Sequence, residues 1–149
     1  MSDLIADNPK AYFSYEIVEK YVAGIALDGG EVKSIKARHI SIKESHVKVI
    51  GGEVWLGNAN VTPYAYTHDR SIDPTRSRKL LLHKSEINRL IGKVKERGYS
   101  IVPLKMFLIR GLIKVEIGLG KGKTNADKRN TIKEKEAKRD MARDSKIYR

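Results

Sequence analysis

The chain has 149 residues, of which 40% are hydrophobic, a size and composition that suit one domain with a single core. It contains no cysteine, which excludes disulfide frameworks, thiolate zinc sites and cysteine nucleophiles. Its 30 Lys and Arg residues against 18 Asp and Glu residues give a formal net charge of +12. Such an excess favours a polyanionic partner, and nucleic acid is a better candidate than an acidic membrane surface.

The first predicted elements are a strand and a short helix. Residues 12–27 are rich in aromatic and β-branched side chains, and Gly24 within them indicates a bulge or bend. Residues 31–37 follow as a short helix that places Val32 and Ile35 on one face.

A β-hairpin is predicted around Gly51-Gly52, because this pair supplies the positive φ angles that a tight turn needs. Apolar residues alternate with polar ones before the turn, at Val47 and Val49, and an apolar run resumes after it at Val54. The sequence therefore predicts two paired strands here.

Residues 76–84 form a basic run with an apolar centre. Four cations flank three consecutive leucines: Arg76, Arg78, Lys79 and Lys84. The simpler interpretation is a core strand with solvated flanks, and Leu80 and Leu82 are expected in the core. We nevertheless expect the cations to form a rim that faces phosphate groups, because Lys and Arg gain from a polyanion at little cost.

A second helix and a second hairpin are predicted next. Apolar residues recur at helical spacing over residues 85–97, with Ser85 as the N-cap and Gly98 as the stop. A tight turn at Arg110-Gly111 precedes residues 113–117, in which every second position is apolar. Many strands, tight hairpins and few helices favour a mainly β protein with a closed or nearly closed barrel. The OB type is the version of such a barrel that commonly binds single-stranded or irregular RNA.

The C-terminal part has a different composition. Residues 121–149 carry eleven basic and five acidic side chains, which is half of the net charge, and residues 127–149 contain neither Gly nor Pro. Their apolar positions make no continuous stripe, so we expect this tail to be disordered alone and helical on a charged partner. The glycine-rich residues 118–123 lack the P-loop spacing and are predicted to be a flexible hinge without a nucleotide site.

Neither a metal site nor a catalytic histidine is expected, and no cofactor is predicted. The histidines (His39, His46, His68 and His83) include no pair at the one-turn spacing of a helical metal site. No apolar run approaches the roughly 18 residues of a membrane span, and the N-terminus does not resemble a signal peptide. A cytoplasmic location is the expectation.

Several long blocks resemble a known family. They are NPKA from Asn8, GEVKS from Gly30, DPTRSRKLLLHKSEINRLIGKVKERGYSIVPLKMF from Asp73, and GLGKGK…DKR…IKEKEAKRD from Gly118. In register from about Asn8 to Arg139, the chain is similar to the SsrA-binding protein family, also called small protein B. The resemblance implies a six-stranded antiparallel OB-type barrel with accessory helices, here over residues 1–119, and a basic tail over residues 120–149.

The resemblance also implies a function. In that family the barrel binds the transfer-RNA-like part of transfer-messenger RNA, in place of a missing anticodon arm. The tail enters the empty messenger channel of a stalled ribosome, beside the small-subunit RNA of the decoding centre, and becomes helical there. Translation then restarts on the RNA's own reading frame, and the incomplete product is tagged for destruction. This implies a monomer in a 1:1 RNA complex that makes or breaks no bond itself.

The predicted site residues combine this resemblance with the basic run. The RNA-binding set is Asn8, Lys10, Glu31, Lys33, Ser34, Arg76, Arg78, Lys79, Leu81, His83 and Lys84. The ribosome-binding set in the tail is Lys121, Lys123, Asp127, Lys128, Arg129, Ile132, Lys133, Lys138 and Arg139.

Three positions depart from the family pattern. Val22 stands where a glutamate is usual, Ala126 where an aromatic residue or histidine is common, and Pro9 where a basic residue is usual. Val22 removes one polar RNA contact, and Ala126 removes a side chain that could stack on a ribosomal base.

Two alternatives stay open at this point. A generic RNA-binding or ribosomal protein, with a tail threaded into ribosomal RNA, would share the composition, the barrel and the basic tail. A nuclease or RNA-modifying enzyme is the other alternative, although the sequence shows no cofactor motif or paired carboxylates for it.

Overall fold

The structure, a computed structural model, describes residues 2–63, 73–96 and 98–123 and Arg129. Nine strands and three helices occur within these residues, in the order β1 (Ser2–Asp7), α1 (Pro9–Ser14), β2 (Tyr15–Ile25), α2 (Gly29–Lys36), β3 (Ile40–Ser41), β4 (His46–Ile50), β5 (Glu53–Gly57), β6 (Asn60–Val61), β7 (Arg78–Leu81), α3 (Lys84–Val94), β8 (Tyr99–Ile109) and β9 (Leu112–Gly122). None of the helices in these ranges is both long and apolar enough to cross a membrane.

The strands confirm a mainly β, antiparallel protein but not the predicted six-stranded barrel of the OB type. One sheet has seven strands in the order β1-β8-β9-β2-β7-β5-β4, and β3 and β6 form a separate pair. Among the described residues no hydrogen-bonded pairing joins the edge strands β1 and β4, so this sheet does not close. A cleft of about 380 Å³ is lined by residues of α1, β4 and β8.

Both predicted hairpins are confirmed. Gly51 and Gly52 have φ angles of +59° and +76°, and Arg110 and Gly111 have φ angles of +50° and +80°. Two consecutive positive φ angles give the type of turn whose twist matches that of the flanking strands. The turns connect β4 to β5 and β8 to β9.

The helix boundaries correct two predictions. A strand over residues 12–14 is wrong, because α1 occupies these residues and begins at Pro9, whose fixed φ and missing N–H suit a first helical position. Ser85 is not an N-cap, because α3 begins at Lys84, and Glu86 Oε1 accepts a hydrogen bond from the His83 backbone N–H at 3.1 Å. The side chain at the third helical position therefore selects the start of α3.

The core lies between the inner faces of the sheet and the helices. Alternate residues of the strands face it, as the period of two requires, and α2 and α3 each contribute a fully buried residue. Its least exposed members are Ala23, Ile35, Ile42, Val54, Leu56, Ala59, Leu80, Leu90, Met106, Val115, Ile117 and Leu119.

The hinge predicted over residues 118–123 is wrong for its first five residues, because they belong to β9. Gly118, Gly120 and Gly122 pair with residues of β2 and continue the ladder. A Cβ atom at Gly120 would lie 2.8 Å from Tyr15 Cβ. Glycine at this position therefore leaves room for the Tyr15 side chain of β2 to pack over β9. The division between barrel and tail at residues 119 and 120 stays a prediction, although the sheet itself extends to Gly122.

Candidate RNA-binding site

A buried ion-pair cluster links α2 to the segment that leads into β7. Glu31 Oε2 accepts hydrogen bonds from Arg78 Nε at 2.6 Å and Arg76 Nε at 3.1 Å, and Glu31 Oε1 accepts one from Arg76 Nη2 at 2.5 Å. Glu31 Oε1 also accepts from the Asp28 backbone N–H at 2.9 Å, which completes a capping box at the start of α2. We call these three side chains (Glu31, Arg76 and Arg78) the Glu31 cluster.

The hydrogen bonds of the Glu31 cluster compensate its burial. Arg78 is 1% exposed and also donates to the carbonyls of Ala59 at 2.9 Å, Arg76 at 3.1 Å and Pro74 at 3.0 Å. Burial raises the pKa of Glu31, but the hydrogen bonds from Arg76, the Asp28 backbone and Arg78 outweigh it, so the pKa lies below its usual value. The cluster therefore keeps its charges and connects elements that are 45 to 47 residues apart.

All four buried polar residues of the described chain belong to the predicted RNA-binding set: Asn8, Glu31, Ser34 and Arg78. The Asn8 side chain donates from Nδ2 to the Pro103 carbonyl at 3.0 Å, and the Asn8 backbone N–H donates to Leu104 O at 2.8 Å. The side chains of Asn8, Glu31 and Arg78 connect elements through these hydrogen bonds, and the role of all four residues toward RNA stays a prediction.

The remaining residues of that set lie at the surface. Lys10, Lys33, Leu81, His83 and Lys84 are exposed. Arg76 is about one third exposed (34%) beside Glu31, and Lys79 Nζ lies 3.1 Å from Glu53 Oε1, with both side chains half exposed. In β7 the buried residues Arg78 and Leu80 alternate with Lys79 and Leu81, so the latter two share the outer face of the sheet.

A surface cluster that was not predicted from the sequence joins α3 to β2. Arg89 Nε donates to Glu19 Oε2 at 2.9 Å, Arg89 Nη2 donates to Glu19 Oε1, and the Tyr21 hydroxyl donates to the same carboxylate. The hydrogen bond from Arg89, followed by that from Tyr21, lowers the pKa of Glu19 to about 2. No local pattern could have indicated this contact, since the two ends of the ion pair are 70 residues apart.

Val22, which departs from the glutamate of the family pattern, lies opposite a carboxylate of the neighbouring strand. Val22 is 49% exposed and pairs across the strands with Glu116 of β9, whose carboxylate lies 3.8 Å from Lys105 Nζ. A second carboxylate at position 22 would stand directly opposite Glu116, and like charges in that arrangement repel. Valine therefore leaves an apolar surface beside a single ion pair.

Most of the predicted ribosome-binding residues lie outside the described residues: Asp127, Lys128, Ile132, Lys133, Lys138 and Arg139, together with the departure at Ala126. Lys121 is exposed in β9, and Arg129 is exposed and helical. Lys123 Nζ donates to the Tyr12 carbonyl at 2.9 Å, and its backbone N–H donates to Ser14 O at 3.0 Å, so Lys123 is joined to α1. In the ranges that the structure describes, no group of three His, Asp or Glu residues could hold a metal ion.

These features define a class: a basic antiparallel β-sheet protein with exposed cations on its surface. The model of the SmpB protein family matches residues 5–147, and the chain therefore belongs to this family. It is 50% identical to the SsrA-binding protein of Bacillus subtilis over 140 residues, which are 94% of this chain and 90% of the relative.

Other comparisons agree with this assignment. The SsrA-binding protein of Listeria monocytogenes is 49% identical over 140 residues, which are 94% of this chain and 91% of the relative. A solved structure described as "tmRNA-SmpB: a journey to the center of the bacterial ribosome" matches with a TM-score of 0.65 and 42% identity over 85% of this chain and 92% of that chain. The family resemblance of the sequence is thereby confirmed.

Proposed function

We propose that this protein is an RNA-binding translation factor that carries transfer-messenger RNA to stalled ribosomes for trans-translation. The observation that carries this proposal is family membership, with about half of the residues identical to an SsrA-binding protein across 94% of the chain. The solved structure at 42% identity, whose description joins tmRNA, SmpB and the bacterial ribosome, supports the same partners.

The RNA-binding set divides into two roles in this proposal. The exposed cations Lys10, Lys33 and Lys84 and the half-exposed Lys79 contact phosphate groups. Leu81 contacts an apolar part of the RNA. The Glu31 cluster positions the segment that leads into β7, and so presents that strand to the RNA. This division is supported by the 1% exposure of Arg78, which keeps its guanidinium away from solvent.

We further propose that residues 1–119 act as an OB-type domain and residues 120–149 as a ribosome-binding tail. A basic tail that becomes helical in the messenger channel gains from neutralising ribosomal phosphates. The protein makes or breaks no covalent bond in this proposal, needs no cofactor, acts as a monomer on one RNA, and works in the cytoplasm.

The first test identifies the RNA that copurifies with the protein from a bacterial lysate. We expect enrichment of transfer-messenger RNA above transfer RNA and ribosomal RNA, with binding that weakens steeply as salt is raised. Equal recovery of all RNAs, or recovery without transfer-messenger RNA, would contradict the proposal and favour a generic RNA-binding protein.

The second test separates the tail from the sheet. A chain that ends after Lys123 keeps all of β9 and the Lys123 contacts to α1. We expect it to bind transfer-messenger RNA close to wild-type affinity and to fail in a reconstituted assay of peptide tagging on stalled ribosomes. A generic binder would instead lose much of its RNA affinity with the tail.

A further inference from the structure

The only tryptophan of the chain, Trp55, lies on the outer face of the sheet between two lysines. The register of β5 pairs Trp55 with Lys48 of β4 on one side and with Lys79 of β7 on the other. Its neighbours along β5, Val54 and Leu56, are fully buried, so the period of two places Trp55 on the opposite face. The three side chains form a row across three strands, which we call the Trp55 row.

A shallow depression lies along the Trp55 row. It has a volume of about 450 Å³ and is lined by Lys48, Ile50, Gly51, Glu53, Trp55 and Ser77. Ile50 is 56% exposed at its edge, and Trp55 is partly exposed. An aromatic ring between two cations on an open sheet face offers a stacking surface for a flat base and two contacts for the phosphates beside it.

One carboxylate lies in the same depression. Glu53 Oε1 accepts a hydrogen bond from Lys79 Nζ at 3.1 Å, with exposed fractions of 42% for Lys79 and 45% for Glu53. Ion pairs as exposed as this one are weak, so a phosphate can replace Glu53 as the partner of Lys79. The second cation, Lys48, has no carboxylate opposite it, because the register places Trp55 there.

We infer that the Trp55 row is a stacking site for an unpaired nucleobase of transfer-messenger RNA, with Lys48 and Lys79 on the flanking phosphates. The inference rests on the proposed function and extends it to Trp55 and Lys48, which the predicted RNA-binding set does not include. The site is continuous with the predicted contact Leu81, which is 52% exposed and shares the outer face of β7 with Lys79.

The single tryptophan provides a direct measurement. The full-length protein is titrated with a transcript of the transfer-RNA-like part of transfer-messenger RNA, and binding is followed by the anisotropy of a dye on the RNA. Tryptophan fluorescence, excited where tyrosine does not absorb, is recorded in the same titration together with its quenching by iodide. We expect the fluorescence to fall in parallel with binding, and iodide to lose access to Trp55.

Variants test whether the stacking contributes to affinity. Trp55→Leu should weaken binding about tenfold, and Trp55→Phe, which keeps an aromatic ring, should restore most of the affinity. Lys48→Ala combined with Lys79→Ala should reduce the slope of log affinity against log salt by about 1.4, which corresponds to two phosphate contacts on a single strand. Lys95→Ala, a loss of an exposed cation just after α3, is the control for charge alone and should change the slope by less than half as much.

Each outcome bears on one of the two proposals. RNA binding without a change in tryptophan fluorescence or iodide access would overturn the Trp55 row and leave the proposed function intact. Equal affinity of Trp55→Leu and wild type, with both folded by circular dichroism, would do the same. If the wild-type protein does not bind the transcript at all, the proposed function fails, and the inference that rests on it fails too.

Discussion

A substitution at Glu31 can show whether this residue stabilises the fold or binds the RNA directly. Replacing Glu31 by Gln keeps the shape of the side chain but removes the charge opposite Arg78. Because Arg78 is 1% exposed and Glu31 is 5% exposed, the guanidinium would stay buried without a counter-ion. We therefore expect the variant to be strongly destabilised.

The magnitude follows from the burial of the pair. Removing one partner of a buried ion pair costs about 3–5 kcal/mol, a large fraction of the roughly 5–15 kcal/mol that separates folded from unfolded domains. For a chain of this length such a loss lowers Tm by about 6–20 °C. Arg76→Ala is the matched control, because Arg76 is 34% exposed and its pairing with Glu31 should contribute about 1 kcal/mol at most.

The assay is urea denaturation followed by circular dichroism, together with RNA binding at a temperature at which both variants are folded. We expect the free energy of unfolding to fall for Glu31→Gln by at least twice as much as for Arg76→Ala. Once both variants are folded, we expect the RNA affinity of Glu31→Gln to stay within about threefold of wild type, a difference of about 0.6 kcal/mol.

The opposite pattern would refute this reasoning. If Glu31→Gln changed the free energy of unfolding by less than about 1 kcal/mol and weakened RNA binding more than tenfold, Glu31 would act on the RNA directly. The hydrogen bonds of the Glu31 cluster would then not be what holds β7 in position.

Three further predictions concern β9, pH and the core. Gly120→Ala should lower the free energy of unfolding by about 1–3 kcal/mol, as measured by thermal denaturation. Gly122→Ala should be neutral, because no atom lies within 4 Å of the added Cβ, and equal effects of the two substitutions would contradict this difference in packing. Lowering the pH from 4.5 toward 2 should reduce the free energy of unfolding by up to about 1 kcal/mol, the contribution of the ionised Glu19. The loss occurs in this range because the pKa of Glu19 is about 2 in the folded protein and higher in the unfolded chain. Glu19→Gln should abolish this part of the pH dependence of stability. Leu90→Ala should cost about 2–5 kcal/mol in urea denaturation because Leu90 is fully buried, whereas a loss below 1 kcal/mol would place it outside the core.

Local chemistry made several elements predictable. The two hairpins follow from residue pairs that adopt positive φ, and the body of α3 follows from apolar residues at helical spacing, because turns and amphipathic helices depend on residues close in the chain. Helix α1 was not predicted, and the start of α3 was predicted incorrectly. Pro9 favours the start of α1 against the strand propensity of residues 12–14. The contact of Glu86 with the His83 backbone sets the start of α3, in competition with Ser85 as a cap.

The sequence by itself determined the basic character, the mainly β class and the family, because composition, alternation and long motifs are properties of the chain. Only the tertiary structure decided which predicted RNA residues face inward. The Glu31 cluster joins positions 45 to 47 residues apart, and the pairing of β1 with β8 joins Ser2 to Ile109. The glycine-rich segment that was predicted to be a hinge is a strand because it pairs with β2, and Tyr15 of β2 fills the space over Gly120. Contacts of this kind depend on the packing of distant strands, which no local pattern records.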